Sequence, residues 1–173
     1  SGPDGASHHG MWDTSLLGLV PGLHLAAPRD ERRLTEALRT AVGIDDAPSV
    51  VRYSKDPLPP ELPALRSHGG VDVLASPADA RVLLVAHGVF VHLAVEAAER
   101  MARQGIPCAV VDPVWALPVN PALVELCEAT DLVVTLEDGG VSGGLGASLA
   151  LACGRAGVWT PVRHLGIPQQ FLE

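Results

Sequence analysis

Aromatic side chains are scarce: three Trp, one Tyr and two Phe in 173 residues. Proteins that bind single strands by stacking need several such rings on one face, so that class is disfavoured. Basic residues are also few, 12 Lys and Arg against 20 Asp and Glu, for a net charge of −8. No broad basic surface is available to neutralise a phosphate backbone, which excludes a general nucleic-acid binder but not one small phosphate pocket. Cysteine is limited to Cys108, Cys127 and Cys153, with no CxxC spacing. Two fall in helical patterns and one in a strand pattern, so buried free thiols in a reducing cytoplasm are expected, not disulfides or zinc. No apolar run approaches the roughly 20 residues that cross a bilayer. Ser1 to Asp4 has neither the basic flank nor the apolar stretch of a leader. A cytoplasmic chain with no membrane partner is the expectation.

What is present supports a packed core. Apolar residues make up 47% of the chain and charged residues 18%, which rules out global disorder. The 18 glycines and 15 prolines announce many turns and short elements. The length suits one medium domain or two small ones.

Residues 1–14 are a polar loop rich in Gly and His, followed by a short apolar segment, Leu16 to Val20, and Pro21-Gly22. Leu23 to Ala27 reads as a strand. Asp30 is placed to cap a helix whose apolar face repeats through Leu34, Ala37, Leu38, Ala41 and Val42, ending at Gly43. Ser49 to Tyr53 is a second strand. Pro57, Pro59, Pro60 and Pro63 then forbid a helix or a central strand, and 57–70 is expected to be an extended linker. Beyond it, strands at 71–75, 82–86, 108–111, 132–136 and 161–165 alternate with helices at 90–104, 120–130 and 142–155. Uninterrupted apolar strands alternating with helices indicate an α/β unit with a mostly parallel sheet covered on both faces. The expected division is 1–56, 57–70 and 71–173. The first region has too few elements to enclose a core of its own.

Two constellations carry chemical interest. In Asp4-Gly5-Ala6-Ser7-His8-His9-Gly10-Met11-Trp12-Asp13, a carboxylate and an imidazole share a glycine-rich loop. Asp4 and His8 could bind substrate hydroxyls and move a proton near neutral pH. An ordinary surface loop has the same composition. Adjacent His8 and His9 do not read as metal ligands, because neighbours rarely point at one ion and no third ligand follows at a regular spacing. The second is Glu137-Asp138-Gly139-Gly140-Val141-Ser142-Gly143-Gly144-Leu145-Gly146, a strand-to-helix turn. Such a turn can cradle a phosphate. It lacks Gly-Lys-Ser/Thr and GxGxxG, so close backbone packing is the favoured reading. His24, His68, His87, His92 and His164 are scattered and read as structural or surface residues.

The run DGASHHGMWD resembles the Asp-Gly-x-Thr/Ser-His segment of the thiamine-diphosphate-dependent transketolase superfamily. With Val20-Pro21-Gly22-Leu23, Ala27-Pro28-Arg29-Asp30-Glu31 and Val51-Arg52-Tyr53-Ser54-Lys55, it is most similar to the 1-deoxy-D-xylulose-5-phosphate synthases of that superfamily. The likeness runs on through Val111-Asp112-Pro113-Val114-Trp115-Ala116-Leu117-Pro118-Val119, the Thr135 to Val141 run, Gly143-Gly144-Leu145-Gly146, and His164-Leu165-Gly166-Ile167-Pro168-Gln169-Gln170-Phe171. These motifs occur in family order and span nearly the whole chain. The resemblance implies the C-terminal half of a pyrimidine-binding domain followed by a transketolase C-terminal-like α/β domain. It implies decarboxylative condensation of pyruvate with D-glyceraldehyde 3-phosphate, in isoprenoid-precursor and thiamine biosynthesis, by a homodimer using thiamine diphosphate and Mg2+. By position, Asp4 and His8 match residues that contact donor and acceptor oxygens. Lys55 matches the base that binds the acceptor phosphate. Family members often read Arg-Tyr/Phe-Pro-Arg/Lys-Gly where this chain has Arg52-Tyr53-Ser54-Lys55-Asp56, so a solvated linker charge is the other reading of Lys55.

The family's Gly-Asp-Gly metal and diphosphate motif is not in the chain, so the cofactor's main ligands are expected upstream of Ser1 and the chain alone is expected to be inactive. A missing N-terminal part or a second chain is thus an implied partner. The other readings are a subunit of a two-chain transketolase or 2-oxo-acid dehydrogenase, and a non-catalytic dimerisation or regulatory paralogue.

Overall fold

The computed structural model describes residues 10–55 and 57–171. The first helix, α1 (Asp13–Leu17), leads into strand β1 (His24–Ala26). Helix α2 (Glu31–Gly43) starts where Asp30 predicts. The Asp30 carboxylate accepts the Arg33 amide proton at 2.8 Å, which satisfies one of the unpaired N–H groups of the first turn. Strand β2 (Ser49–Val51) pairs parallel to β1.

Irregular chain follows only as far as Leu65. Strand β3 (Arg66–His68) forms a hairpin with β4 (Val71–Ala75). Strand formation therefore begins inside the proline-rich stretch, where the prolines stop at Pro63 and the backbone N–H groups are free to pair.

Apart from β7 and the extension of β8 to Gly140, the rest alternates as expected: β5 (Val82–Ala86), α3 (Phe90–Ala102), β6 (Cys108–Asp112), β7 (Trp115–Leu117), α4 (Pro121–Glu128), β8 (Leu132–Gly140), α5 (Leu145–Ala156) and β9 (Val162–Ile167). The larger sheet has six strands in the order β3-β4-β6-β5-β8-β9. Its β6-β5-β8-β9 part is parallel and the β3-β4 hairpin is antiparallel at one edge. Successive residues of β5 serve opposite faces. Leu83 and Val85 pack with Leu123 and Cys127 of α4 and with Leu145, Leu149 and Cys153 of α5. Leu84 and Ala86 pack with Val91, Ala94 and Ala98 of α3. A strand buried on both faces has no polar position, which is why it reads as a continuous apolar run. All three cysteines are buried free thiols.

Strand β7 has no counterpart in the sequence reading. It leaves the larger sheet and pairs antiparallel with β1, closing a second sheet of order β2-β1-β7. The turn into β7 holds Val114 at φ 59°, a left-handed conformation that a β-branched residue rarely adopts. Its amide is held by the Asp112 carboxylate at 2.7 Å.

Asp112 also receives the charge that joins the two sheets. Arg29 Nη1 donates to Oδ2 of Asp72 and Oδ2 of Asp112, both at 2.7 Å, while Nε and Nη2 donate to the Leu62 carbonyl at 3.0 and 2.9 Å. The Leu62 amide in turn donates to Asp30 at 3.1 Å. Arg29, Asp72 and Asp112 are each no more than 2% exposed. Burial pushes the Asp112 carboxyl up to about 6, a rise that Arg29 and the Val114 amide hold in check. Replacing one partner of a buried charge set strands the others, at a cost of about 3–5 kcal/mol. Arg29→Met is therefore expected to lower unfolding stability at pH 7 by about that amount. The deficit should shrink as pH falls from above 7 toward 6, because the Asp112 carboxyl without its cation takes up a proton at higher pH than in the parent. Denaturant titrations at pH 7 and 5 check both; a loss under about 1 kcal/mol at pH 7 would show that the triad is not stabilising.

Candidate functional site

Asp4 and His8 lie outside the described residues. Lys55, the third residue singled out for substrate binding, is exposed in a bend four residues beyond β2. It makes no hydrogen bond or ion pair with any described residue, so its ammonium group is available to an anion. Of the three, the structure places Lys55 alone.

Arg52 stands one residue past β2, its amide donating to the Ala26 carbonyl at 2.8 Å. Its guanidinium spans two carboxylates from distant parts of the chain. Nε donates to Asp13 Oδ2 and Nη1 to Asp138 Oδ1, each at 2.6 Å. Asp13 opens α1, five residues after His8; Asp138 lies in β8. Two further bonds bind the same stretch to the end of β8. The Gly140 amide donates to the Met11 carbonyl at 2.6 Å, and the Ser15 hydroxyl to the Ser142 carbonyl. Trp12 meets Phe171 edge-on, with ring centroids 5.8 Å apart, so the tail of the chain covers the same place. Composition gave no signal for this network. Arg52, Asp13 and Asp138 are charged residues next to turns, which in sequence look like solvated surface.

His87, just past β5, is buried behind this joint at 1% exposure. Neither of its ring nitrogens has a partner among the described residues. Burial pushes its pKa down to about 4, with the nearby Arg52 charge adding to the fall and Asp138 and Asp13 opposing it. The ring is neutral at physiological pH. The sequence suggests a structural or surface histidine with hydrogen bonds; His87 is instead buried without a hydrogen bond to any described group. Of the other scattered histidines, His24 stands against Trp115, His68 beside Glu125 and His164 near the Thr135 hydroxyl, while His92 has a buried Nε2 with no partner among the described residues.

The glycine-rich turn after β8 is not a phosphate cradle. The Glu137 carboxylate occupies the start of α5, accepting from the Leu145 amide at 2.8 Å and the Gly146 amide at 2.9 Å. Those are the donors an anion would need. Glu137 is 1% exposed, and burial raises its pKa while the two amides lower it. A Cβ on Gly144 would stand 2.1 Å from Glu137 Oε2, and one on Gly146 2.3 Å from Thr135 Oγ1, so both glycines are required by close approach. Among the described residues no three His, Cys, Asp or Glu side chains stand together as a metal site. With the α5 amides taken, the described residues do not fit a diphosphate and its metal.

The neutral His87 gives a pH test. Its folded pKa is below the unfolded value, so the unfolded chain binds more protons between pH 6.5 and 4 and stability is lost as pH falls through that window. Asp112, with its raised pKa, acts in the opposite sense. His87→Leu removes only the first effect. The variant should gain on the parent by roughly 1.4 kcal/mol per pH unit below 6.5. Denaturation midpoints of both proteins at pH 7, 6 and 5 measure it, and parallel pH profiles would contradict a neutral buried His87.

The family model for the transketolase pyrimidine-binding domain matches residues 1–60 and that for the transketolase C-terminal domain matches residues 71–173. A 1-deoxy-D-xylulose-5-phosphate synthase of Mycobacterium sp. (strain KMS) is 52% identical over 176 residues, covering 100% of this chain and 28% of its own length. The 1-deoxy-D-xylulose-5-phosphate synthase 1 of Kitasatospora griseola is 56% identical over 173 residues, covering 99% of the chain and 27% of its own length. The chain thus spans a little over a quarter of these curated relatives. Among solved structures, a split-gene transketolase described as an inactive β4 tetramer superposes with TM-score 0.84 at 31% identity, covering 97% of this chain and 56% of its own. The transketolase of Campylobacter jejuni superposes with TM-score 0.76 at 23% identity, covering 98% of this chain and 25% of its own, which speaks to the fold. Two family models matched in order, on an α/β structure of the same architecture, establish that the chain belongs to the transketolase family.

Proposed function

We propose that this chain is the acceptor-binding part of a 1-deoxy-D-xylulose-5-phosphate synthase, which decarboxylates pyruvate and joins the two-carbon unit to D-glyceraldehyde 3-phosphate. The observation that carries the reading is the 52–56% identity to synthases over essentially the whole chain. Thiamine diphosphate would supply the electron sink for decarboxylation. Its ligands, with Mg2+, would come from a part of the enzyme beyond these residues. A homodimer in the cytoplasm, feeding isoprenoid and thiamine synthesis, belongs to the same proposal.

Within it, Asp4 and His8 contact donor and acceptor oxygens and His8 moves a proton at its imidazole. Lys55 neutralises the acceptor phosphate. Its exposure and its lack of a described partner support that role, because a lysine already paired would have to give up that partner first. The acidic Asp56 that follows it in sequence is part of the departure from the family turn.

A second reading has its own support. The split-gene transketolase shares the fold at TM-score 0.84, and this chain covers 56% of it. A protein built this way would pair with a separate chain carrying the Gly-Asp-Gly motif. Assay of the 173-residue chain alone, with a second chain, and within a protein of the relatives' length separates the two. The chain alone should give no 1-deoxy-D-xylulose 5-phosphate; turnover by it, free of host enzyme, would overturn the proposal.

Residue roles are tested by kinetics in the active form. Lys55→Ala should raise KM for glyceraldehyde 3-phosphate by roughly 10- to 150-fold, from a charge-assisted contact of about 1.5–3 kcal/mol, and leave pyruvate decarboxylation nearly intact. His8→Ala should lower kcat by about 10²- to 10⁴-fold. An unchanged acceptor KM in the first, or an unchanged kcat in the second, would reduce that residue to an ordinary loop position.

A further inference from the structure

Helices α4 and α5 cover the same face of the larger sheet, where Leu123 and Cys127 of the first and Leu145, Leu149 and Cys153 of the second are buried. Each leads into a strand of the parallel set, α4 into β8 and α5 into β9, so the two helices run in the same direction. Their outer sides are not wholly polar, as those of a solvated helix pair would be. An open groove lies between them, lined by Val124 of α4, by Leu151 and Ala152 of α5, and by Leu117 and Val119 from β7 and the chain after it. Leu151 is 57% exposed. Gly18, just past α1, also lines the groove, and the next two residues, Leu19 and Val20, are 78% and 40% exposed. Exposed apolar surface of this kind marks a contact with another macromolecule.

Charge decides what that macromolecule is. Glu125 and Glu128 are the only charged side chains of α4, and Arg155 is the only one of α5. All three line the groove, so one wall is acidic and the other basic. Glu128 ends α4 and Arg155 is one residue from the end of α5. In helices that run alike, they stand at the same end of the groove. Glu125 is engaged by His68, but neither Glu128 nor Arg155 has a hydrogen bond or ion pair with any described residue. A two-fold axis along the groove lays α4 of one copy against α5 of the other. It brings Glu128 of each copy to Arg155 of the other and closes the two apolar floors on one another. A chain of unrelated sequence would have to match both walls separately; a second copy matches them by symmetry.

We propose that the groove between α4 and α5 is the face through which two copies of this chain associate, as an isologous dimer with two Glu128–Arg155 contacts beside an apolar seam. The inference rests on the homodimer named under the proposed function and deepens it by assigning the surface. The apolar seam holds the copies together. The charges fix their register, since like charges set opposite one another are strongly disfavoured.

Sedimentation equilibrium of the 173-residue chain over roughly 1–100 μM should show dimers. Leu151→Glu places a carboxylate in the seam. Arg155→Glu and Glu128→Arg each set two like-charge contacts across it. Each of the three should raise the dissociation constant by about 10- to 100-fold. Mixing is the decisive step. Arg155→Glu of one copy meets Glu128→Arg of the other with opposite charges at both contacts, so an equimolar mixture should dimerise within about threefold of the parent although neither variant does so alone. Residues 128 and 155 are exposed near helix ends, and the thermal midpoints of their variants should stay close to the parent's. If Leu151→Glu disturbs the fold, the mixture still decides. A parent that stays monomeric over this range, dimers that the charge reversals leave intact, or a mixture no tighter than its components would each overturn the proposal. No turnover is read. Dimers that pass the mixing step in a protein without synthase activity would leave this interface standing and sink the function reading; an active synthase whose chain fails that step would do the reverse.

Discussion

A guanidinium sealed between two carboxylates is the constraint on which the rest of this molecule depends. Arg29 comes from the stretch between β1 and α2, Asp72 from β4 and Asp112 from the end of β6. Each would be costly to bury alone; together, and with the Leu62 carbonyl taking the remaining donors, their hydrogen-bonding capacity is met. The arrangement allows little sliding, because moving either sheet would strand a charge. Asp112 then has a second task, holding Val114 in its left-handed turn so that β7 can leave one sheet and complete the other. The N-terminal region, too small to enclose a core, gains its third strand from the region after residue 70.

That exchange marks the boundary of what the sequence could disclose. β5, β6 and the first part of β8 were legible as nearly continuous apolar runs, because burial on both faces leaves few polar positions, and α2 was legible from its cap and its apolar stripe. β7 was not. Four residues between Pro113 and Pro118 look like a turn, and their partner β1 lies about 90 positions earlier. The proline-rich stretch read as free linker for a related reason. Its buried ties, Leu62 to Arg29 and Asp30, use backbone groups of the stretch, which have no side-chain signature.

The candidate site divides along the same line. The Asp-Gly-Ala-Ser-His loop and Lys55 announced themselves as a motif, since motifs are local. Arg52, Asp13 and Asp138 meet only in three dimensions, and each reads alone as surface charge. His87 and Glu137 are hidden for the opposite reason: nothing local distinguishes a buried neutral imidazole or a carboxylate capping its own following helix from exposed ones. The preference for close packing over phosphate binding at the glycine-rich turn was sound, and Glu137 is its physical reason.

The central claim is that the two sheets stand or fall together, because one is closed by a strand of the other region and both share the Arg29 charge set. Native-state hydrogen exchange under increasing denaturant tests this most directly. The amides of β1 and β2 should open at the same denaturant concentration as those of β5 and β6, in one cooperative transition. Loss of protection in β1 and β2 while β5 and β6 remain closed would contradict the account, since it would mean the smaller sheet is an appendage that the larger one does not need.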